Sequence, residues 1–319
     1  MNHPNERDIP DIVDPLGETL YLLRLNGSLY CQSEFRTPWG LDLPPFEDKM
    51  MFHIILSGSC YVRVEGQEAI HLQEGDFALL PTGEGHALLS NPDEQTIDLF
   101  DVPIKQISER YEYLVYSRGA DNRGALTEAI CGVVSFDSVV AQQLIKQLPR
   151  IITLTRKHAG SDNSIIGAAA MMAAEARQLR PGGETVMAHL SDIIIIQSIR
   201  HWIETDPQAS EGWLGALKDP KIGKALAVIH NMPAEAWTVD SLAKYVGMSR
   251  AGLAAKFSSM VGVSVKQYLT NWRMNLARNR LANEAIPLGD LAEELGYQSE
   301  ASFSRAYKRV MGVSPVRNL

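Results

Sequence analysis

Cysteine is scarce in this 319-residue chain: Cys31, Cys60 and Cys131 are too few and too widely spaced for a disulfide framework or a CxxC-type zinc site. Free thiols are the expectation. Long apolar runs are scarce as well. The longest, "GAAAMMAA" (Gly167–Ala174) and "IIII" (Ile193–Ile196), fall well short of the ~20 residues that a membrane span requires. The N-terminal stretch "MNHPNERDIPDIVDP" carries charge and proline but no apolar segment, so it does not read as a secretory signal. These absences exclude a disulfide-stapled secreted module and a membrane span, and a cytoplasmic protein is expected. What is present is ordinary for a globular chain, since 45% apolar residues are ample for real cores and the length suits about two domains.

Positive charge is in overall deficit, with a net of −8, but it is unevenly placed. Lys221–Leu319 holds 13 Lys and Arg against 7 Asp and Glu, whereas the remainder holds 17 against 31. A cationic C-terminal third on an anionic body favours a polyanion partner for the tail and disfavours one for the rest.

The hydrophobic period changes along the chain. Up to about residue 103, short β-rich runs such as "FHIILSG", "CYVRVEG" and "AIHLQEGDFALLP" alternate with Gly, Pro, Asn and Asp turns, as in a small barrel or sandwich. In "CYVRVEG" alternation puts Cys60, Val62 and Val64 on one face. From about Val139 the period becomes helical, in "VVAQQLIKQLPRIITL", "IIGAAAMMAAEARQLR" and "VMAHLSDIIIIQSIRHWIE". The fold class expected is α+β: a β-barrel over residues 16–138, a helical linker over 139–216 whose helices pack together or against a second subunit in a dimer, and an all-helical domain over 217–319.

In this C-terminal region a single pattern occurs twice. "DSLAKYVGMSRAGLAAKFSSMVGVS" (Asp240–Ser264) and "GDLAEELGYQSEASFSRAYKRVMGVS" (Gly289–Ser314) each run from an Asp/Leu/Ala helix through a Gly turn to a Ser, then an amphipathic helix ending at Gly-Val-Ser. A short helix, a glycine turn and a second helix with a Ser N-cap make a helix-turn-helix. The stretch between them, "VKQYLTNWRMNLARNRLANEAI", puts Tyr268, Leu269, Trp272, Leu276 and Leu281 near helical spacing and reads as one rigid connector. Two recognition helices fixed in this way suit successive major grooves, about 34 Å apart. On the second helix of each unit, Leu253 and Phe257, or Phe303, Tyr307 and Val310, are the expected buried stripe.

"WTVDSLAKYVGMSR" and "GYQSEASFSRAYKRVMGVSP" resemble the signature of the AraC/XylS family of bacterial transcription regulators, over about 100 residues from Leu217. The resemblance assigns base contact to Glu300, Ala301, Ser304 and Arg305, and in the first copy the matching positions are Ala251, Ala254 and Ala255, with Arg250 at the helix start as a further DNA-binding candidate. Glu accepts from cytosine N4, Arg donates a bidentate pair to guanine, and Ala touches a thymine methyl. The alanines depart from the polar residues often found at these positions, so hydrogen-bonded specificity is expected mainly from the second helix. Lys256, Arg273, Lys308 and Arg309 are candidates for phosphate contact, with solvated surface charge as the alternative. The implied partners are double-stranded promoter DNA, RNA polymerase and a second copy of the chain, and the implied outcome is activation.

"GDFALLPTGEGH" (Gly75–His86) has the spacing of the second cupin motif and resembles the cupin sensor domain of an AraC subgroup. Cupin enzymes hold a metal through two His and a Glu of a first motif plus the His of the second. Here Met51 falls in the glutamate slot and the two His slots fall within "PPFE" (Pro44–Glu47). No cofactor or metal is therefore expected, and a metal-dependent cupin enzyme is the minor reading. His53 shares the inward phase with Met51 and is expected to point towards His86. The pair are candidate contacts for a small-molecule effector, with satisfied structural histidines as the alternative. Cys31 and Cys131 fall where redox-responsive members of the subgroup carry cysteines, so thiol oxidation is the alternative trigger.

Overall fold

The computed structural model describes residues 25–118, 123–136, 144–155, 164–178, 180–210 and 212–315, together with Leu16, Gly17 and Leu20. From residue 25 the described residues fall into two compact units, divided in the chain between Ala209 and Ser210.

The first unit is a two-sheet barrel followed by long helices. Its strands are β1 (Asn26–Arg36), β2 (Gly40–Leu43), β3 (Lys49–Ser57), β4 (Ser59–Val64), β5 (Ile70–Gln73), β6 (Phe77–Leu80), β7 (His86–Leu89), β8 (Ile97–Asp98), β9 (Ile104–Gln106), β10 (Tyr111–Ser117), β11 (Leu126–Ser135) and β12 (Ile152–Leu154). One sheet runs β12-β6-β3-β11-β1-β10-β9 and the other β5-β4-β7-β2-β8. The alternation expected in "CYVRVEG" holds, with Cys60, Val62 and Val64 buried on β4. Between the sheets, Phe35 stacks on Trp39 with ring centroids 4.1 Å apart, inside a core that includes Leu41, Ile55, Leu72 and Leu88. Gly83, in the motif before β7, takes a left-handed φ of 64°. A Cβ there would lie 2.2 Å from the Phe46 carbonyl oxygen and 2.5 Å from that of Lys49, so only glycine fits this turn.

The helix expected over Val139–Leu154 gives way at its end to an edge strand. Ile152–Leu154 pairs antiparallel with β6, and Ile152 and Leu154 are buried. Pro149 is poorly suited to a helix interior, and the β-branched Ile152-Thr153 suits a pleated edge. Residues 139–143 of that stretch lie outside the described residues. Two helices follow, α1 (Ser164–Arg177) and α2 (Gly183–Thr205). Most of the isoleucine-rich face of α2, including Ile194, Ile195, Ile199, Trp202 and Ile203, is buried within this unit.

The second unit is all helical among its described residues: α3 (Gly212–Lys218), α4 (Ile222–Asn231), α5 (Val239–Val246), α6 (Arg250–Val261), α7 (Val265–Asn283), α8 (Leu288–Glu294) and α9 (Glu300–Met311). The expected caps are made. Ser249 Oγ accepts from Gly252 N and Ser299 Oγ from Ser302 N, while Gly247 and Gly296 take left-handed backbone in the two turns. Leu253, Phe257 and Val261 bury one face of α6, and Phe303, Ala306 and Tyr307 one face of α9. The 19-residue α7 is the connector, with Tyr268, Leu269, Trp272, Met274, Ala277 and Leu281 buried. A boundary at residue 217 falls inside α3, whose fully buried Trp213 packs as part of this unit.

Candidate DNA interface and sensor pocket

Each second helix turns its polar or small side chains outward because its apolar residues are used at helical spacing for the core. On α6, Arg250, Ala251 and Ala255 are exposed and Ala254 is half-buried; Arg250 makes an exposed ion pair with Asp240 at 3.4 Å. On α9, Glu300, Ala301, Arg305, Lys308 and Arg309 are exposed and Ser304 is half-buried. Glu300 sits in the first turn of α9 and Lys308 and Arg309 in the last, an order that suits the helix dipole as well as a DNA face.

Two expected phosphate contacts are engaged inside the unit instead. The Arg273 guanidinium donates to the carbonyls of Pro233 (2.6 Å), Ala234 (3.3 Å) and Glu235 (2.9 Å), and lies over the Tyr297 ring at 5.5 Å from its centroid. It ties the loop after α4 to the turn of the second helix-turn-helix. Gly296 in that turn has φ of 76°, and a Cβ would meet the Ala234 carbonyl oxygen at 2.1 Å, so the two segments close only on glycine. Lys256 Nζ lies 2.5 Å from Asp219 Oδ2. Burial opposes ionisation of Asp219, but the N–H groups of Ile222 and Lys221 and the Lys256 ammonium together hold its carboxyl below the usual range. We therefore assign Arg273 and Lys256 architectural roles. Distant backbone carbonyls leave no mark in the sequence near Arg273, and the Asp219 that holds Lys256 lies 37 residues away from it.

In the first unit, a cavity of about 290 Å³ opens between the sheets. Its wall is mostly apolar, with Leu29, Phe35, Leu88, Leu114 and Val133 among the side chains. One polar row crosses it. His53 on β3 is paired in register with Cys131 on β11, Cys131 with Cys31 on β1, and Cys31 with Glu112 on β10. Residues opposite each other on neighbouring strands share a face, so all four side chains line the cavity. Ser33 adds a hydroxyl 3.5 Å from Cys31 Sγ.

His86 on β7 reaches His53 from the opposite sheet, Nε2 to Nε2 at 2.7 Å. His86 Nδ1 faces the Glu84 carbonyl at 3.0 Å, and His53 Nδ1 faces Cys131 Sγ at 3.0 Å. A carbonyl only accepts, so His86 carries its proton on Nδ1 and its Nε2 is an acceptor. His53 then donates from Nε2, and its bare Nδ1 accepts from the Cys131 S–H. Every proton of this neutral chain is thereby assigned. Burial holds both rings neutral. His53 lies well below the usual imidazole range, by burial and then by the neighbouring His86. Burial lowers His86 to about 4 against the opposing pull of the Glu84 carbonyl.

The expected His53–His86 contact is thus present, but only His53 lines the apolar cavity; His86 borders a separate open groove beside Arg63 and Glu84. The ring nitrogens are consumed by one another, by Cys131 and by a carbonyl, and Met51 stands where a carboxylate ligand would be needed. No group of three or more His, Cys, Asp or Glu among the described residues is arranged to hold a metal ion. These residues do not fit a cupin metal centre. Burial pushes the Cys31 thiol up to about 11, that of Cys60 to about 12, and Cys131 well above its ordinary value. Glu112 was missed in the sequence, although "YEYLVYS" puts it in phase with the inward Leu114.

Comparison with known proteins agrees with both units. A family model described as a cupin matches residues 14–204, and a helix-turn-helix domain model matches residues 242–317. An AraC-like transcription regulator of Streptomyces lividans is 31% identical over 315 residues, covering 95% of this chain and 97% of that one. The HTH-type transcriptional regulator AlkR of Acinetobacter baylyi is 28% identical over 306 residues, covering 95% of this chain and 98% of the relative. Among solved structures, ToxT of Vibrio cholerae is 12% identical with a TM-score of 0.35, covering 91% of this chain and 95% of that one. The fold and its outward helices define a DNA-binding transcription regulator rather than an enzyme. The chain belongs to the AraC family, with a cupin domain in its N-terminal region. No helix among the described residues is long and apolar enough to cross a membrane.

Proposed function

We propose that this regulator is switched by a small molecule held in the barrel cavity, and that it activates transcription as a homodimer acting on RNA polymerase in the cytoplasm. The carrying observation is the cavity itself, an apolar chamber crossed by a single polar row, in a chain whose other unit binds DNA. Arg305 and Glu300 read bases, Ala251, Ala254 and Ala255 contribute methyl contacts beside Arg250, Ala301 and Ser304 line the same face of α9, and Lys308 and Arg309 hold phosphates. For dimerisation the support is narrower, because most of α2 is spent on its own core; Val186 and Ile193, 42% and 48% exposed, form the outer stripe left for a partner. Sedimentation at micromolar concentration tests this, and a persistent monomer refutes it.

The switch requires a ligand that binds two states of the protein unequally. Val133→Phe, which fills the cavity from a half-buried lining position, should abolish the response of DNA affinity or of a reporter to the effector while leaving basal DNA affinity intact. A response that survives Val133→Phe would remove the cavity from the mechanism. The thiol reading has one observation in its favour, the direct cross-strand pairing of Cys31 with Cys131. Both thiols are held protonated by burial, which slows reaction with oxidants, so the small molecule is the reading we adopt. An oxidant response lost in Cys31→Ser but kept in Val133→Phe would reverse that choice.

A further inference from the structure

The cavity has an apolar body and one end of defined charge. Among the described residues that line it, Glu112 alone carries a formal charge, and none is Lys or Arg. Glu112 lies on β10 with Cys31 on one side in register and Gln106 on the other, so neither neighbour neutralises it. Lys105 is opposite Tyr113, on the other phase of that strand pair. Glu112 makes no ion pair or side-chain hydrogen bond among the described residues, in contrast to Glu34, Glu84, Glu94 and Glu128, each of which has a partner. Half-buried without a counter-charge, its carboxyl is pushed above the usual range by burial.

The opposite end of the row cannot supply positive charge. The two imidazoles are neutral, and the ring nitrogens are satisfied by Cys131, by each other and by the Glu84 carbonyl. An anionic head group would therefore find no cation in the wall and would face a carboxylate. An ammonium would find Glu112, and the ring of Phe100, 69% exposed, lines the same cavity as a further surface that favours a cation. Glu112 is three strand spacings from His53, about 14 Å at ~4.8 Å per strand, a span that a medium-length apolar body fills.

We propose that the effector is an apolar amine, its ammonium paired with the Glu112 carboxylate and its hydrocarbon or aromatic body packed among Leu29, Phe35, Leu88, Leu114 and Val133. This rests on the cavity being the effector site and goes further by assigning the head group's charge. The consequence is a cavity that takes cationic amphiphiles, takes neutral apolar molecules more weakly, and rejects fatty carboxylates.

Three probes of equal chain length test it on the full-length protein by isothermal titration calorimetry at pH 7.5: octylamine, 1-octanol and octanoate. The expected order is octylamine about tenfold tighter than 1-octanol, with octanoate weakest. Glu112→Gln should bring octylamine down to 1-octanol and leave the alcohol unchanged. Equal affinity for amine and alcohol in the unmodified protein, or an amine preference that persists in Glu112→Gln, overturns the charge assignment and leaves the cavity as effector site. Failure of all three probes to bind, or binding that Val133→Phe does not weaken, overturns both.

Discussion

Lowering the pH from 7.5 to 5.0 should destabilise the barrel through the histidine chain. His86 falls to about 4 in the folded protein, against about 6.5 for an ordinary imidazole, and His53 is displaced in the same direction. Between those values the unfolded chain binds a proton that the folded one refuses, so stability rises with pH: it is full above about 6.5 and is lost as pH falls towards 4. For His86 alone the loss is about 2 kcal/mol at pH 5 and about 3 kcal/mol by pH 4. The molecular reason is the Nε2–Nε2 contact of 2.7 Å, since a proton on the accepting nitrogen of His86 would set two donors against each other. Urea unfolding followed by hydrogen exchange in β3 and β11 peptides would read the barrel's transition apart from that of the C-terminal unit. His86→Gln should flatten the dependence by the His86 share, leaving the share due to His53. An unchanged pH slope in His86→Gln would refute the proton assignment.

Three further outcomes are expected. A fragment from Ser210 should fold and bind duplex DNA with affinity falling steeply with salt, whereas one from Asp219 loses the fully buried Trp213 and should be less stable by about 3 to 5 kcal/mol, as thermal unfolding of the two fragments would show. Arg273→Ala should lower stability by about 2 to 4 kcal/mol, from lost hydrogen bonds to three carbonyls, without altering base preference; a change in preference at normal stability would return Arg273 to the DNA face. Arg305→Ala should cost about 1 to 3 kcal/mol and relax preference at one base pair, while Lys308→Ala should weaken all sequences alike in a binding-site selection assay. A uniform loss in Arg305→Ala would make that residue a phosphate contact.

What the sequence determined alone is what local chemistry encodes. Period-two alternation on β4, the glycine turns at Gly247 and Gly296, the Ser249 and Ser299 caps and the buried stripes of α6 and α9 each need only a few neighbouring residues, and all were readable there. The inward phase of His53 was legible for the same reason. What only the tertiary structure decided is which groups meet across distant segments. Arg273 looked like a free cation until the carbonyls of Pro233, Ala234 and Glu235 closed on it. Ile152–Leu154 carried a pattern compatible with a helix until the edge of β6 offered it backbone partners. The row of His53, Cys131, Cys31 and Glu112 crosses four strands through consecutive register pairs, each between residues remote in sequence, because strand register is set by long-range pairing. The same long-range closure brings the imidazole of His53, on the cavity wall, against that of His86 from the opposite sheet, where burial holds both neutral and leaves Glu112 as the charged side chain among the described lining residues.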